Sequence, residues 1–424
     1  MFNVEELRVR TELNFTRLRD DAYYQIGEVF APIGYEWYGD KEGRALLAFV
    51  SHYKMSGRKI PCMDEMMSVM RERTNEHLFF GPLAGEIIHE QQLSGHSWLL
   101  RGLCEYREQF GDDLSLEMIE SICENLYYPT KGKYKTYPID RSEPKAEGGV
   151  SGKSVRVING WKLSSDIGCA FMSIDGLSHA YIVTGDERIK ALVDEMIRVY
   201  LGIDKVALRA QTHCTLTAAR GMIRMYYKTN EVSYLDGART IMELYANGGG
   251  MSETYQNLNW WGRPDTWTEP CAIVDSMMLA GELYKITKEE QYRALAARIY
   301  HNGLATAQRE NGGAGTDTVV VEGVEEILRS KMFEAYFCCT MRLSEGLRYV
   351  DENKELFAAR KDGGVSKKGR IYADGDILYA EVSGGAEKYA DHFVELDGHR
   401  LCPIVKYYKV PRDIMDASEQ RILF

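Results

Sequence analysis

Apolar residues recur along most of this chain at helical rather than strand spacing. Ile189, Leu192, Val193, Met196, Ile197 and Tyr200 fall at i, i+3, i+4, i+7, i+8 and i+11, one apolar face of a long helix. Asp186 and Glu187 precede it, where the positive end of a helix favours carboxylates. A weak repeat overlies this pattern: several apolar helices end in an aromatic residue followed by a polar turn. The turns begin at Tyr53, Tyr106, Tyr181, Tyr226, Tyr284 and Tyr349, 45 to 75 residues apart. Six helical hairpins in series can close into a ring, so the pattern predicts an all-α fold, an (α/α)6 toroid whose inner helices surround a central pocket. An open solenoid or an irregular all-α domain is the alternative, and the count of six favours the toroid.

Two regions break the pattern. Pro129 to Gly152 is rich in Lys, Pro and Gly and reads as a long loop over the domain. From about Lys361 the character changes: Arg370 to Val382 and Val394 to Val410 are rich in β-branched and aromatic residues, with hairpin turns at Asp374-Gly375 and Asp397-Gly398. The expected organisation is a toroid over residues 1–355 and a short C-terminal β-rich appendage over 356–424.

Composition narrows the function classes. Of 424 residues 45% are hydrophobic, enough for a sizeable core, and only 10 are Pro, which argues against wholesale disorder. Lys and Arg number 52 against 63 Asp and Glu, a net charge of −11 with no basic block, so nucleic acid is not an expected partner. No apolar run is long enough to span a membrane. The opening Met1 to Leu13 carries Glu5 and Glu6 and no apolar core, unlike a signal peptide, so a cytoplasmic protein is expected. Nine Cys, an odd number, then read as reduced thiols rather than disulfides.

Some motifs are decoys. Gly149 to Ser154 resembles a phosphate loop, but Glu147 stands where its first glycine is needed. His89-Glu90 lacks the second His of a zinc-protease helix, because Leu93 occupies that place. His179 and His301 lie on helical stretches and read as structural histidines. Three other segments stand out: the glycine-rich loop Asn247 to Glu253, then Trp267 to Cys271 at the mouth of an apolar helix, then Tyr336 to Cys339 entering another helix. Glu269, Cys271, Cys338 and Cys339 offer a metal one oxygen and three sulfurs, a set that suits zinc. The spacing is not that of a zinc finger, and buried thiols filling two helix starts are the simpler alternative.

These residues resemble the β-L-arabinofuranosidases of glycoside hydrolase family 127 and its relatives. The shared pattern is a Gly-Gly loop leading to Glu253, Glu269 16 residues on within Glu269-Pro270-Cys271, and the pair Cys338-Cys339. Arg298 to Gly303 and Gly39 to Arg44 are also family-like, so the resemblance runs from about residue 37 to 350. It implies a zinc-dependent retaining exo-glycosidase releasing a terminal sugar. Cys338 takes the nucleophile role and Glu253 the acid/base role, with zinc on Glu269, Cys271, Cys338 and Cys339. A thiol with a pKa near about 8.5 is mostly protonated at neutral pH, and zinc holds it as thiolate. Most retaining glycosidases use two carboxylates instead.

Family members hold sugar hydroxyls with His on several inner helices. Here His96 and His213 occupy two such helix starts, and no His stands near Gly168 to Phe171. Trp260, Trp261 and Trp267 lie between the two glutamates and offer indole faces for sugar stacking or for wall packing. The expected partner is a small carbohydrate, with self-association of the chain left open. A non-catalytic sugar-binding toroid and another toroid sugar enzyme, an unsaturated-sugar hydrolase or an epimerase, are the competing readings. The last two rely on carboxylates or His, so the cysteine set counts against them.

Overall fold

The computed structural model describes residues 4–31, 36–140, 151–252, 254–317, 319 and 333–357, and the strands between 369 and 410. Among the described residues the long helices are α1 (Val4–Asp20), α2 (Asp40–Ser56), α3 (Cys62–Arg73), α4 (Glu90–Phe110), α5 (Asp113–Ile122) and α6 (Ser173–Thr184). They continue with α7 (Glu187–Gly202), α8 (Thr212–Thr229), α9 (Val232–Asn247), α10 (Pro270–Thr287), α11 (Glu290–Arg298) and α12 (Cys339–Glu352). Two kinds alternate. The even-numbered helices are buried over most of their length, whereas α1, α3, α5, α7 and α9 bury one stripe and show a polar face. α7 buries the stripe Ile189, Leu192, Val193, Met196, Ile197 and Tyr200 that its spacing predicts, and the Asp186 side chain caps its start by accepting from Arg188 N. A helix apolar all round must be enclosed, and an amphipathic one must face water on one side.

The aromatic repeat is the C-terminal cap of the buried helices. The carbonyls of Tyr53, Tyr181, Tyr226, Tyr284 and Tyr349 accept the cap N–H of Gly57, Gly185, Asn230, Lys288 and Asn353. In α4 the acceptor is Arg107, bonded by Gly111. Gly57, Gly111 and Gly185 sit at positive φ, where a left-handed cap ends the helix at no steric cost.

By its packing the chain divides into two compact units. One comprises residues 15–243 with 260–263, and the other residues 1–14, 244–259 and 264–424. In the first, α2 packs on α4, α4 on α6 and α6 on α8. The contacts are close because small residues stand at the crossings. A Cβ on Gly43 would lie 2.2 Å from the backbone nitrogen of Leu99, so the family-like Gly39 to Arg44 segment is a helix-packing device. Arg44 then reaches over the Trp98 ring at 4.1 Å. Gly43→Ala should cost about 3 kcal/mol, the upper end of overpacking, because backbone rather than a flexible side chain must give way. Gly202→Ala, whose Cβ would meet nothing within 4 Å, should leave stability unchanged or slightly raised. Denaturant midpoints by circular dichroism check both, and equal midpoints for the two variants would contradict the packing argument.

The same unit holds a small sheet that the sequence pattern does not reveal: β1 (Ile88–His89), β2 (Ser154–Ile158) and β3 (Trp161–Ser164), in the order β1-β3-β2. β3 is parallel to β1 and antiparallel to β2. The segment read as a loop from Pro129 is pinned at its described end. Tyr134 and Tyr137 are buried against Trp161 and Phe171, and Tyr137 Oη donates to the buried Glu90 carboxylate. Residues 141–150 lie outside the described residues.

In the second unit α10 packs against α11 and α12. Two-residue strands β4 (Gly315–Thr316) and β5 (Phe333–Glu334) pair antiparallel just before α12. The C-terminal strands follow the expected positions: β6 (Gly369–Asp374), β7 (Ile377–Val382), β8 (Val394–Leu396), β9 (His399–Leu401) and β10 (Tyr407–Val410). Asp374 pairs with Ile377 and Leu396 with His399; the second hairpin closes at the expected Asp397-Gly398, whereas in the first Asp374 is the last residue of β6 rather than part of the turn. β10 adds to β7 on the side away from β6.

Candidate metal centre

Two buried helices of the second unit begin side by side in chemistry as well as in space. Glu269 is the N-cap of α10, Pro270 occupies its first position and Cys271 its second. Proline suits that place, since the first N–H of a helix has no intrahelical partner. Cys338 is the N-cap of α12 and Cys339 its first residue. The Cys338 N–H donates to Ala335 O at 3.3 Å, and the Ala335 N–H donates to Ala314 O at 3.0 Å, so the β4–β5 pair guides the chain into the helix. Both helix starts present positive dipole ends, which favour a carboxylate and thiolates.

The structure brings all four residues together. One donor atom from each of Glu269, Cys271, Cys338 and Cys339 lies within 4.8 Å of the others. The Cys271 and Cys339 sulfurs are 3.4 Å apart, as are those of Cys338 and Cys339. A tetrahedral zinc with Zn–S bonds of about 2.3 Å sets sulfurs about 3.8 Å apart, so the donor set fits such an ion after a small expansion. Cys271 and Cys339 are buried, while Cys338 and Glu269 are partly exposed. The neighbouring Cys271 and Cys339 thiols, with burial, push the Cys338 thiol well above its ordinary pKa. Burial, then Cys271, does the same to Cys339. Sulfurs this close share negative charge only beside a cation.

One helical turn below the site, Asp275 follows Cys271 and Arg342 follows Cys338, each by four residues. Their side chains form a fully buried ion pair that also engages Glu345. This pair locks α10 to α12 at the level that sets the sulfur geometry. A charge four residues after Cys271 and after Cys338 was the available sequence signal.

Glu269 is held from the segment before it. Its N–H donates to Asn257 Oδ1 at 2.7 Å. The Asn259 amide, turned so that both its ends pair, donates to Glu269 Oε2 at 2.8 Å and accepts from Trp267 Nε1 at 3.2 Å. Thr268 and the buried Asp317 exchange two hydrogen bonds beside it, Thr268 N to Asp317 O at 2.7 Å and Asp317 N to Thr268 Oγ1 at 3.0 Å. Sequence reasoning found neither asparagine nor Asp317, because extended polar segments carry no periodicity that marks them.

Glu253 lies outside the described residues. The chain on either side of it is tied by an isolated bridge between Met251 and Asn257 and by Ser252 N donating to Gln256 O at 2.7 Å. His96 belongs to the first unit and is fully buried. Its Nδ1–H donates to Gln92 O at 2.8 Å and its Nε2 accepts from Phe80 N at 3.1 Å. Burial lowers its pKa to about 4, so the ring is neutral at physiological pH. His213, also buried, stacks on Trp98 with centroids 5.8 Å apart. Trp260 and Trp261 are 0% and 1% exposed, and Trp260 Nε1 donates to Ser165 O at 3.2 Å. Of the five side chains expected to hold sugar, only Trp267 retains exposure. His179, bonded to Arg101 and Glu108, and His301, against Phe357 O, are engaged as structural histidines are. Among the described residues no helix is long and apolar enough to cross a membrane.

The fold is similar to that of several solved structures. They include a GH127 β-arabinofuranosidase, 11% identical with a TM-score of 0.56 over 97% of this chain and 77% of that one. An unsaturated glucuronyl hydrolase specific for heparin is 11% identical with a TM-score of 0.54 over 84% of this chain and 100% of that one. A cellobiose 2-epimerase from Bacillus thermoamylovorans is 12% identical with a TM-score of 0.54 over 82% and 99%. At such identities the likeness shows the fold, which is of the all-α, (α/α)6-toroid class. The sequence matches no protein-family model and no curated protein.

Proposed function

We propose that this protein is a zinc-dependent retaining exo-glycoside hydrolase that releases a terminal sugar, most closely a β-L-arabinofuranose, with Cys338 as nucleophile. The observation that carries the reading is the convergence of Glu269, Cys271, Cys338 and Cys339 from two helix starts, with Cys338 the one of the three cysteines that is not a fully buried residue. Structures of similar fold that process sugars support the substrate class, and the chain pattern around Glu253 supports the sugar.

Glu269, Cys271, Cys338 and Cys339 would hold the metal. When bound, zinc would keep the Cys338 sulfur ionised at neutral pH. The Cys338 thiolate attacks the anomeric carbon, forming a C–S bond as the bond to the leaving oxygen breaks. Glu253 gives its proton to that oxygen. Water then attacks the same carbon, its proton passes to Glu253, and the C–S bond breaks to return the thiolate. Two displacements at one carbon retain its configuration.

Purified protein assayed on a panel of aryl glycosides tests this reading, alongside elemental analysis of reduced protein. About one zinc per chain and turnover of an aryl β-L-arabinofuranoside that stops on chelation are expected. Cys271→Ser should lower zinc occupancy while the fold persists. Metal-free protein with full turnover, or no cleavage of any glycoside, would refute it.

A further inference from the structure

We propose that Asp317 is a positioning residue that clamps the turn around Glu253 to the segment leading into Glu269, an inference that rests on the function proposed above. Asp317 directly follows β4 and is 3% exposed. Its backbone and its side chain engage different segments. The backbone exchanges its two hydrogen bonds with Thr268, the residue before Glu269. The carboxylate takes a different partner on each oxygen: Arg309 Nη2 donates to Oδ1 at 3.2 Å, and Gln256 Nε2 donates to Oδ2 at 3.3 Å. Arg309 Nη2 also donates to Thr316 O at 2.8 Å. Gly315 makes room for the guanidinium, since a Cβ there would lie 2.3 Å from Arg309 Nε.

Gln256 carries the link into the turn. Its N–H donates to Ser252 Oγ at 3.1 Å, and its carbonyl accepts from Ser252 N at 2.7 Å. Thr254 Oγ1 donates to Gln256 Oε1 at 3.1 Å, which keeps the Nε2 end of the amide toward Asp317. The Tyr255 N–H donates to Ser252 O at 3.1 Å and closes the turn, within which Glu253 falls in sequence. Tyr255 holds φ at 57°, a left-handed conformation that a tyrosine keeps where its surroundings impose it. The backing is close, since a Cβ on Gly303 would lie 2.7 Å from Tyr255 O. Ser252, Thr254, Gln256, Thr268 and Asp317 are all buried. Buried polar groups that satisfy one another in a chain act as a unit, because each loss strands a desolvated partner. Asp317→Asn keeps the size but turns one accepting oxygen into an N–H that meets Arg309 or Gln256 donor to donor. Gln256→Met removes the link from the side of the turn.

The test uses reduced full-length protein with an alkyl and a nitrophenyl β-L-arabinofuranoside, and reads kcat/KM, which reports the first displacement. Asp317→Asn and Gln256→Met are expected to lower kcat/KM about 10–100-fold on the alkyl glycoside, whose leaving oxygen needs a proton, and less than about threefold on the nitrophenyl glycoside. In a Glu253→Gln background Asp317→Asn should add less than about twofold. Hydrogen exchange of backbone amides in residues 251–257 should quicken in both variants while α10 and α12 keep their protection. Circular dichroism confirms folding, and Gln256→Met decides the matter if Asp317→Asn does not fold. A loss of equal size on the two glycosides, or of full size without the Glu253 carboxylate, overturns the inference, as does unchanged exchange over 251–257 in both variants. If the wild-type protein cleaves no glycoside the hydrolase reading fails, and exchange alone decides the clamp: quickened exchange upholds it and unchanged exchange overturns it.

Discussion

Cys338→Ala should abolish sugar release, lowering turnover by at least about 10⁴-fold, while the protein still folds. Removal of a nucleophile from a site that works as a unit costs nearly the whole enzymatic advantage, because no second displacement can begin. The loss differs in kind from that of Cys339→Ser. Cys339 is fully buried at the first position of α12, so its replacement is expected to act through the metal rather than on the sugar. Azide separates the two cases. In the alanine variant a small anion can attack from the vacated side and yield a glycosyl azide of inverted configuration. In the Cys339 variant the Cys338 thiol still blocks that side, and rescue should come from added zinc instead. Chromogenic assays with and without azide, and NMR of the product, check this. A Cys338→Ala variant with a tenth or more of the wild-type rate would remove Cys338 from the chemistry.

Glu253→Gln should lower turnover of natural glycosides by about 10²–10⁴-fold, the usual worth of one general acid/base. Zinc content should not change, because the proposed metal donors are Glu269 and the three cysteines. Substrates whose leaving group needs no proton should lose less in the first displacement and stall in the second, where the water has no base. The pre-steady-state burst on such a substrate should therefore become larger relative to the slow phase that follows. An unchanged rate on natural glycosides, or loss of zinc in this variant, would contradict the role.

Much of the fold was legible because its physical causes are local. The stripe of α7 and the tyrosine-to-glycine turns mark where a helix is amphipathic and where its last carbonyls find a cap, and neither needs the rest of the chain. Asp374 and Asp397 marked hairpins for the same reason. The sheet of β1, β2 and β3 was not legible: β1 is two residues long, and its partner lies 73 residues further along, at Trp161. In the candidate metal centre the four clustered donors stood out by residue type. What holds them did not, because Asn257, Asn259 and Asp317 act through single hydrogen bonds that leave no pattern. Nor is it legible in the sequence that both nitrogens of His96 engage the backbone at Gln92 and Phe80, which only packing reveals.

Peptide mapping after labelling with an electrophilic β-L-arabinofuranosyl analogue tests the chemistry most directly. Zinc lowers the pKa of a bound thiol, so labelling should proceed at neutral pH and follow metal occupancy. Cys338 is the one cysteine of the cluster that is not a fully buried residue, and a single adduct on Cys338 is the expected result. An adduct on Cys339, or on a carboxylate such as Glu269, would contradict a cysteine nucleophile at this position.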